Sequence, residues 1–274
     1  MKLSAYIPVY NNRATLEAVL QSVLQQSAGL DDVYVVDDAS TDGSPELAAR
    51  MGVRVVRQAQ NTGRGAVRAR AMLEARNPLV LCCDATNVLE TDFAQKATTW
   101  LEEKQVAGVF GRLTQTGART VAERWRGRHL FKVGEQFAVR HQSSLITFGT
   151  LVRRDAVLAV GNYNTSYRCN EDVELGERLL AAGYDVVFDP NLLLYSITGN
   201  SIRQVLERYS RWYGPKPTEL TFSGYLRLMS YSLKSMAARD LSERDLLSVP
   251  ISLVCPHVQY ARSFFESIRL RRQH

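Results

Sequence analysis

The segment VLCCDATN, residues 80–87, carries an apolar run onto a carboxylate. Ligands of open α/β sheets sit beyond the carboxyl ends of the strands, so Asp84 stands where an acid can face a nucleotide or a cation. A second acid two residues on would make a pair suited to a hard divalent ion. That place holds Thr86, followed by Asn87, and neutral oxygens hold such ions more weakly than carboxylates. Two further acid pairs stand out. Asp37 and Asp38 follow the run VYVV, and Glu171 and Asp172 open the helical pattern NEDVELGERLL. A carboxylate in a partly dry cleft can take the proton of an attacking hydroxyl, while acids in the first turn of a helix also answer its dipole. In RYSRW, Arg208 and Arg211 are three residues apart. They share a helix face and could meet one anion together. Trp212 beside them serves either to stack on a sugar or to fill a core.

These groups need a scaffold, and the periodicity supplies one. Short apolar strands at LSAYIPV, DVYVVDD, VRVVRQ and PLVLCCDA alternate with amphipathic segments, the pattern of a parallel sheet covered on both faces. In ATLEAVLQSVLQQS, Leu16, Val19, Leu20, Val23 and Leu24 form one apolar stripe at helical spacing. An Arg-rich helix is expected over residues 64–75. The second half adds strands at AGVFGRL, SLITFGTLVRR and YDVVFDP, the acidic helix NEDVELGERLLAAG, and a helix around IRQVLERYSRWYG. After Pro215-Lys216-Pro217 the pattern is helical and amphipathic, which puts a boundary near residue 216. The expected organisation is a domain over 1–215, with a nucleotide-binding half (1–113) and an acceptor and catalytic half (114–215), then a helical extension over 216–274.

Composition narrows the classes. The chain has 274 residues, 45% of them apolar, enough for a sizeable core. No run approaches the ~20 apolar residues of a membrane span, and Pro8 interrupts MKLSAYIPVYNN before a signal-peptide core could form, so a cytoplasmic location is expected. Four cysteines, Cys82 and Cys83 adjacent, match neither a disulfide framework nor paired metal spacing and read as reduced core residues. Net charge is +6. Residues 112–154 hold eight Arg and one Lys against Glu123 and Glu135, and the tail RSFFESIRLRRQH is basic. Anionic partners follow: a phosphorylated ligand or an acidic membrane surface. Nucleic acid is not expected, because no recognition-helix or stacking motif accompanies the charge. The turn after the first strand, PVYNNRATLE, lacks the glycines of a dinucleotide fingerprint, and no Walker loop is present.

Taken together, IPVYNN, VVDDASTDGS, NTGRGAVRARA, LCCDAT, NEDVELGERLLAAGYDVVFDP and RYSRW stand in the order found in the inverting family 2 glycosyltransferases of the GT-A fold. The chain resembles that family over residues 3–214. The resemblance implies a Rossmann-like, mostly parallel central sheet flanked by helices. It also implies transfer of a sugar from a nucleoside diphosphate donor to an acceptor hydroxyl with inversion at the anomeric carbon, on a path to cell-envelope polysaccharide.

Residue by residue, the resemblance gives the donor to Pro8, Val9, Tyr10 and Asn11 around base and ribose, and to Asp37 and Asp38. A carboxylate there can accept the N3–H of uracil; capping within DDASTDGS competes with that role. Arg64 and Arg68 would meet base or diphosphate, with Asp84 and Ala85 at the ribose and diphosphate. Asp172 would be the base, beside Glu171. Arg208, Arg211 and Trp212 would serve diphosphate and acceptor. The family implies Mn2+ or Mg2+, yet Thr86 replaces the second acid and Ser196 stands where the family often has His, leaving Asp84 as the expected metal ligand. The expected function is thus an inverting transferase using a UDP-linked sugar, with a glycan or lipid-linked acceptor, cytoplasmic or peripheral on the inner face of the membrane. Two rivals are a degenerate relative that binds nucleotide or glycan without turnover and a scaffold subunit that recruits a partner to the membrane.

Overall fold

Leu3–Val9 is apolar except at Ser4 and buried at all but one position, as a strand covered on both faces must be. It is β1 of a computed structural model that describes residues 2–214 and 221–271. The remaining strands are β2 (Asp32–Asp37), β3 (Arg54–Arg57), β4 (Leu79–Cys83), β5 (Asn87–Leu89), β6 (Val106–Thr114), β7 (Gly149–Arg153) and β8 (Asp185–Ser196). The helices are α1 (Arg13–Leu24), α2 (Ser44–Arg50), α3 (Arg64–Glu74), α4 (Phe93–Trp100), α5 (Val121–His129), α6 (Arg154–Ala159), α7 (Glu171–Ala181), α8 (Ile202–Tyr213), α9 (Phe222–Tyr231), α10 (Ala238–Ser242) and α11 (Val249–Arg271). A π-helical turn, Ser232–Ala237, joins α9 to α10. The expected boundary near residue 216 lies outside the described residues. By compactness the chain divides into residues 1–114 with 136–198, and residues 115–135 with 199–274.

The first unit holds one eight-stranded sheet in the order β3-β2-β1-β4-β7-β6-β8-β5. β3, β2, β1 and β4 run parallel, as does β6 with β8. β7 lies antiparallel between β4 and β6, and β5 is antiparallel to β8. The sheet is therefore mixed where alternation alone suggested a parallel one. The expected strand SLITFGTLVRR starts only at Gly149; the residues before it form a loop whose Thr147 bonds elsewhere. On α1 the stripe buries Leu16, Val19, Leu20 and Val23, but Leu24, the helix's last residue, is 48% exposed. Tyr34 fixes α3 to β2 by donating its hydroxyl to the Ala71 carbonyl at 2.6 Å. Cys82, Cys83 and Cys255 are buried free thiols as expected, whereas Cys169 is exposed.

The second unit is helical. Trp125 is fully buried on α5, 5.3 Å from the Tyr209 ring of α8, and its indole N–H donates to Ser252 of α11 at 2.9 Å. Part of the basic run turns inward here. Arg124 makes two bonds to Asp245, Arg128 pairs with both Asp240 and Asp245, and His129 Nε2 lies 2.8 Å from Asp240. In the first unit, Arg153 and Arg154 cap the carbonyls of Leu101 and Met72. These cations are already paired within the chain.

The cluster makes the helical unit acid-sensitive. Hydrogen bonds from Arg124 hold the Asp245 carboxyl far below the usual carboxylate range against the opposing effect of burial, and Ser248 and Arg128 add to the lowering. Burial pushes Asp240 up, but bonds from His129, Ser252 and Arg128 outweigh it and leave the pKa lowered. Depressed folded-state values stabilise the fold above the unfolded pKa of about 3.9 and lose that effect as pH falls below it. Asp245→Asn is expected to reduce unfolding free energy at pH 7 by about 2 kcal/mol, since one partner of a mostly buried pair is removed while Arg124 stays part-exposed. Denaturant titration at pH 7 and pH 3 checks this, the gap between native and variant narrowing at the lower pH.

Candidate active site

The carboxyl ends of β1 and β2 are laced into one rim. Past Val9, Asn11 adopts a left-handed φ of 53°, tolerable for Asn. Its backbone N–H donates to the Ser40 hydroxyl, and its side-chain oxygen accepts from the Thr41 N–H, both at 2.9 Å. Pro8 is half-buried, Val9 buried and Tyr10 50% exposed. Asp37 has no exposed surface; it accepts from the Ser40 N–H and faces Arg57 at 3.4 Å. Asp38 binds the next loop. It accepts from the Thr62 N–H at 2.7 Å, the Thr62 hydroxyl at 2.9 Å and the Gly63 N–H at 2.9 Å. A carboxylate offers about four lone-pair sites, so Asp38 keeps one for a ligand.

That loop starts α3. Gly65 must be glycine, because a Cβ there would lie 2.2 Å from the Asn164 carbonyl oxygen and 2.6 Å from that of Tyr167. The close approach seats the segment before α7 against the first turn of α3. Arg64 is exposed at the rim. Arg68, one turn on, is buried.

Arg68 is the hub of the site. Its guanidinium meets Asp84 at 3.0 Å and Glu171 at 3.0 Å, and donates to the Tyr6 hydroxyl, the Cys82 sulfur and the Thr147 carbonyl. Burial opposes its charge, but Cys82, Tyr6, Asp84 and Glu171 outweigh this and raise its pKa. Burial pushes the Cys82 thiol up to about 11, which leaves a neutral sulfur in the ring of contacts. Glu171 is 1% exposed, and its second oxygen has no hydrogen-bond partner among the described residues. Glu171 is thus held as the buried counterion of Arg68. Asp172, next on α7, is half-buried. One of its oxygens accepts from both the backbone N–H and the hydroxyl of Thr147, each at 3.1 Å. Asp84, Arg68, Glu171, Thr147 and Asp172 therefore form one connected chain. Thr147, Tyr6 and Cys82 escaped sequence reasoning: Thr147 sits in what reads as strand, and the other two read as core.

The two substituted positions come together as well. Asn87 of β5 pairs with Ser196 of β8, and the Ile197 N–H donates to the Thr86 carbonyl at 3.0 Å. Ala85 is buried, its carbonyl accepting from Thr15 of α1 at 2.6 Å. Asp84 is the single carboxylate of this loop, is shared with Arg68, and has a side chain 34% exposed. No cluster of three or more His, Cys, Asp or Glu suited to a metal occurs among the described residues. One shared carboxylate with neutral Thr, Asn and Ser oxygens does not fit a tightly held hard cation. Arg208 and Arg211 are half-buried on α8 of the second unit, which a Ser201–Gln204 capping box starts, and Trp212 beside them is 41% exposed with its ring 6.5 Å from Phe131.

Comparisons with known proteins agree with this architecture. TuaG of Bacillus subtilis, named for teichuronic acid biosynthesis, is 28% identical over 113 residues, 39% of this chain and 45% of its own. The succinoglycan biosynthesis protein ExoA of Rhizobium meliloti is 26% identical over 193 residues, 66% of this chain and 58% of its own. The aligned parts thus span about half the length of these relatives. Among solved structures, the mannosyltransferase PcManGT from Pyrobaculum calidifontis, in complex with GDP-Man and Mn2+, superposes with a TM-score of 0.60 at 15% identity, covering 98% of this chain and 75% of its own. S. aureus TarS 1-349 in complex with UDP gives 0.58 at 14% identity, covering 100% and 92%. At these identities the superpositions establish the fold, a GT-A architecture. The sequence model described as Glycosyl transferase family 2 matches residues 4–161, more than half of the chain, and the chain belongs to that family.

Proposed function

We propose that this protein is an inverting glycosyltransferase that moves a sugar from a UDP-linked donor to a hydroxyl of a glycan or lipid-linked acceptor in cell-envelope polysaccharide synthesis. The observation that carries this reading is the connected chain from Asp84 to Asp172 through Arg68, Glu171 and Thr147. Asp84 would meet the donor's ribose and diphosphate. Asp172, one oxygen anchored on Thr147, would take the acceptor's proton as that oxygen attacks the anomeric carbon. The bond to the diphosphate then breaks on the opposite face, the configuration inverts, and UDP leaves with the bonding electron pair. Asp38, with a lone pair left over, would accept the uracil N3–H; Asp37 is closed off. Arg64 at the rim completes the proposed donor contacts, and for Arg208, Arg211 and Trp212 the family resemblance is what supports a diphosphate and acceptor role. The relatives named for envelope polysaccharides support the acceptor class. The basic tail supports a peripheral position on the inner membrane face; Arg269, Arg271 and Arg272, which motivated it, have no described side chains.

A panel of UDP-, GDP- and CDP-sugars, assayed for release of the nucleoside diphosphate by the native protein, tests the reading. Release from a UDP-sugar that Asp172→Asn abolishes is expected. Saturable UDP binding with no release under any condition would instead mark a nucleotide binder without turnover.

Metal dependence follows from the ligand set. PcManGT was seen with Mn2+, and Mn2+ or Mg2+ is the cation this family suggests. With Thr86 and Ser196 in place of stronger ligands, nucleoside diphosphate affinity is expected to change less than about threefold between Mn2+ and chelator. Thr86→Asp adds a carboxylate beside Asp84 and should bring a rise of about tenfold or more with Mn2+. Calorimetry on both proteins checks it; strict Mn2+ dependence of the native protein, unchanged by Thr86→Asp, would refute the assignment.

A further inference from the structure

The +6 charge of the chain is not shared evenly. Residues 115–135 and 199–274 hold 17 basic and 8 acidic residues, a net +9, while the sheet-bearing unit holds 17 and 20, a net −3. The positive unit also leaves apolar surface uncovered. None of the ten residues of α9, FSGYLRLMSY, is fully buried. Tyr225 fixes this helix to α11, its hydroxyl 2.9 Å from His257 Nδ1 and its ring 5.2 Å from that of Tyr260. Beyond that seam an open groove is lined by Phe222, Tyr225, His257, Tyr260, Phe264 and Phe265. Its phenylalanines face water, with Phe222 73%, Phe265 68% and Phe264 50% exposed, and Leu226, one turn from Phe222, is 50% exposed. Arg227 and Lys234 are exposed on the same stretch.

Burying a phenylalanine is worth about 1.5–3 kcal/mol relative to leaving it in water, so a patch of three marks a surface that something covers. Charge selects the occupant. A second copy would bring another +9 unit against the first, whereas an anionic bilayer attracts basic residues near its surface and takes aromatic rings at the headgroup boundary. No helix among the described residues is long and apolar enough to cross a membrane.

We infer that Phe222, Leu226, Phe264 and Phe265 form a wedge that enters the headgroup region of an anionic lipid bilayer, with the basic residues of the helical unit holding it there. This rests on the peripheral-membrane part of the reading above and names the residues that make the contact. The wedge is an interfacial anchor, so its loss should change membrane binding and leave nucleotide binding alone.

The test is co-flotation of the full chain with vesicles of phosphatidylcholine alone or with phosphatidylglycerol, at low and high salt, comparing the native protein, Phe222→Ser and the double variant Phe264→Ser/Phe265→Ser, each checked by circular dichroism and by UDP titration. The native protein is expected to partition to the anionic vesicles, with a loss of about tenfold or more for the double variant and unchanged UDP affinity. Three results overturn the inference: native protein that ignores anionic vesicles, binding that salt removes but the phenylalanine substitutions do not weaken, or a self-association of the native chain that those substitutions abolish in place of vesicle binding. Should a variant fail to fold, the native arms on neutral and anionic vesicles still decide. UDP binding without membrane binding sinks the wedge alone; absence of UDP binding sinks the transferase reading whatever the vesicles do.

Discussion

Asp172→Asn is expected to reduce sugar transfer, or release of the nucleoside diphosphate from the donor, by roughly two to four orders of magnitude, with donor affinity nearly unchanged. The amide keeps the shape of the side chain, and its oxygen can still accept from the Thr147 N–H and hydroxyl that hold Asp172 at 3.1 Å. What it loses is the capacity to take a proton. The nearest other carboxylate in sequence, Glu171, cannot substitute, because it is 1% exposed and paired with Arg68. Single-turnover measurements on native and variant protein separate the chemical step from binding. Near-native rates in the variant would mean that another group, or solvent, takes the proton.

Arg68→Met carries the largest expected effect on stability. The guanidinium is 2% exposed and meets two carboxylates at 3.0 Å each. Removing it leaves Glu171 buried with neither oxygen balanced, a change that costs about 3–5 kcal/mol at sites of this kind. Lys is expected to rescue only in part, since a single ammonium on a flexible stem cannot place separate N–H groups on both acids as the planar guanidinium does. Arg68→Met combined with Glu171→Gln should recover part of the loss, because the uncompensated charge goes with the acid. Equilibrium unfolding in denaturant measures all three. A cost below about 1 kcal/mol for Arg68→Met would show that the buried acids are stabilised by other means, and the hub assigned to Arg68 would fall with it.

The same residue shows where sequence reasoning reaches its limit. Its helix is legible, since Arg64 to Glu74 follows Gly63 and carries Val67, Ala71 and Met72 on one buried face. An arginine four residues after an exposed one reads as a second rim cation. It turns inward only because Asp84 and Glu171, 16 and 103 residues away, converge on it. Likewise Thr147 gives no local signal, and its tie to Asp172 exists only once the loop before β7 meets α7. Arg124 and Arg128 read as part of a basic run facing anionic partners because Asp240 and Asp245 lie more than a hundred residues further on. The insertion of β7 antiparallel between β4 and β6 also escapes periodicity, since a buried strand has the same apolar pattern in either direction. What was legible had local causes: apolar runs bounded by turns, the stripe of α1 up to Val23, and acids at strand and helix ends. The pairing of Asn87 with Ser196, which brings the two substituted positions side by side, lies between these extremes, with family order giving the positions and the β5–β8 register their adjacency.

Calorimetric titration of the native protein with UDP in the presence of chelator tests the central claim, a nucleoside diphosphate site that works without a tightly held cation, more directly than any other measurement. The account predicts saturable one-to-one binding that survives chelation, and binding weaker by about tenfold or more for CDP, whose base has no N3–H for the remaining lone pair of the buried Asp38 and sets its own N3 lone pair against that carboxylate. UDP binding that chelator abolishes and Mn2+ restores would contradict it, as would no binding of UDP, GDP or CDP with chelator or with Mn2+.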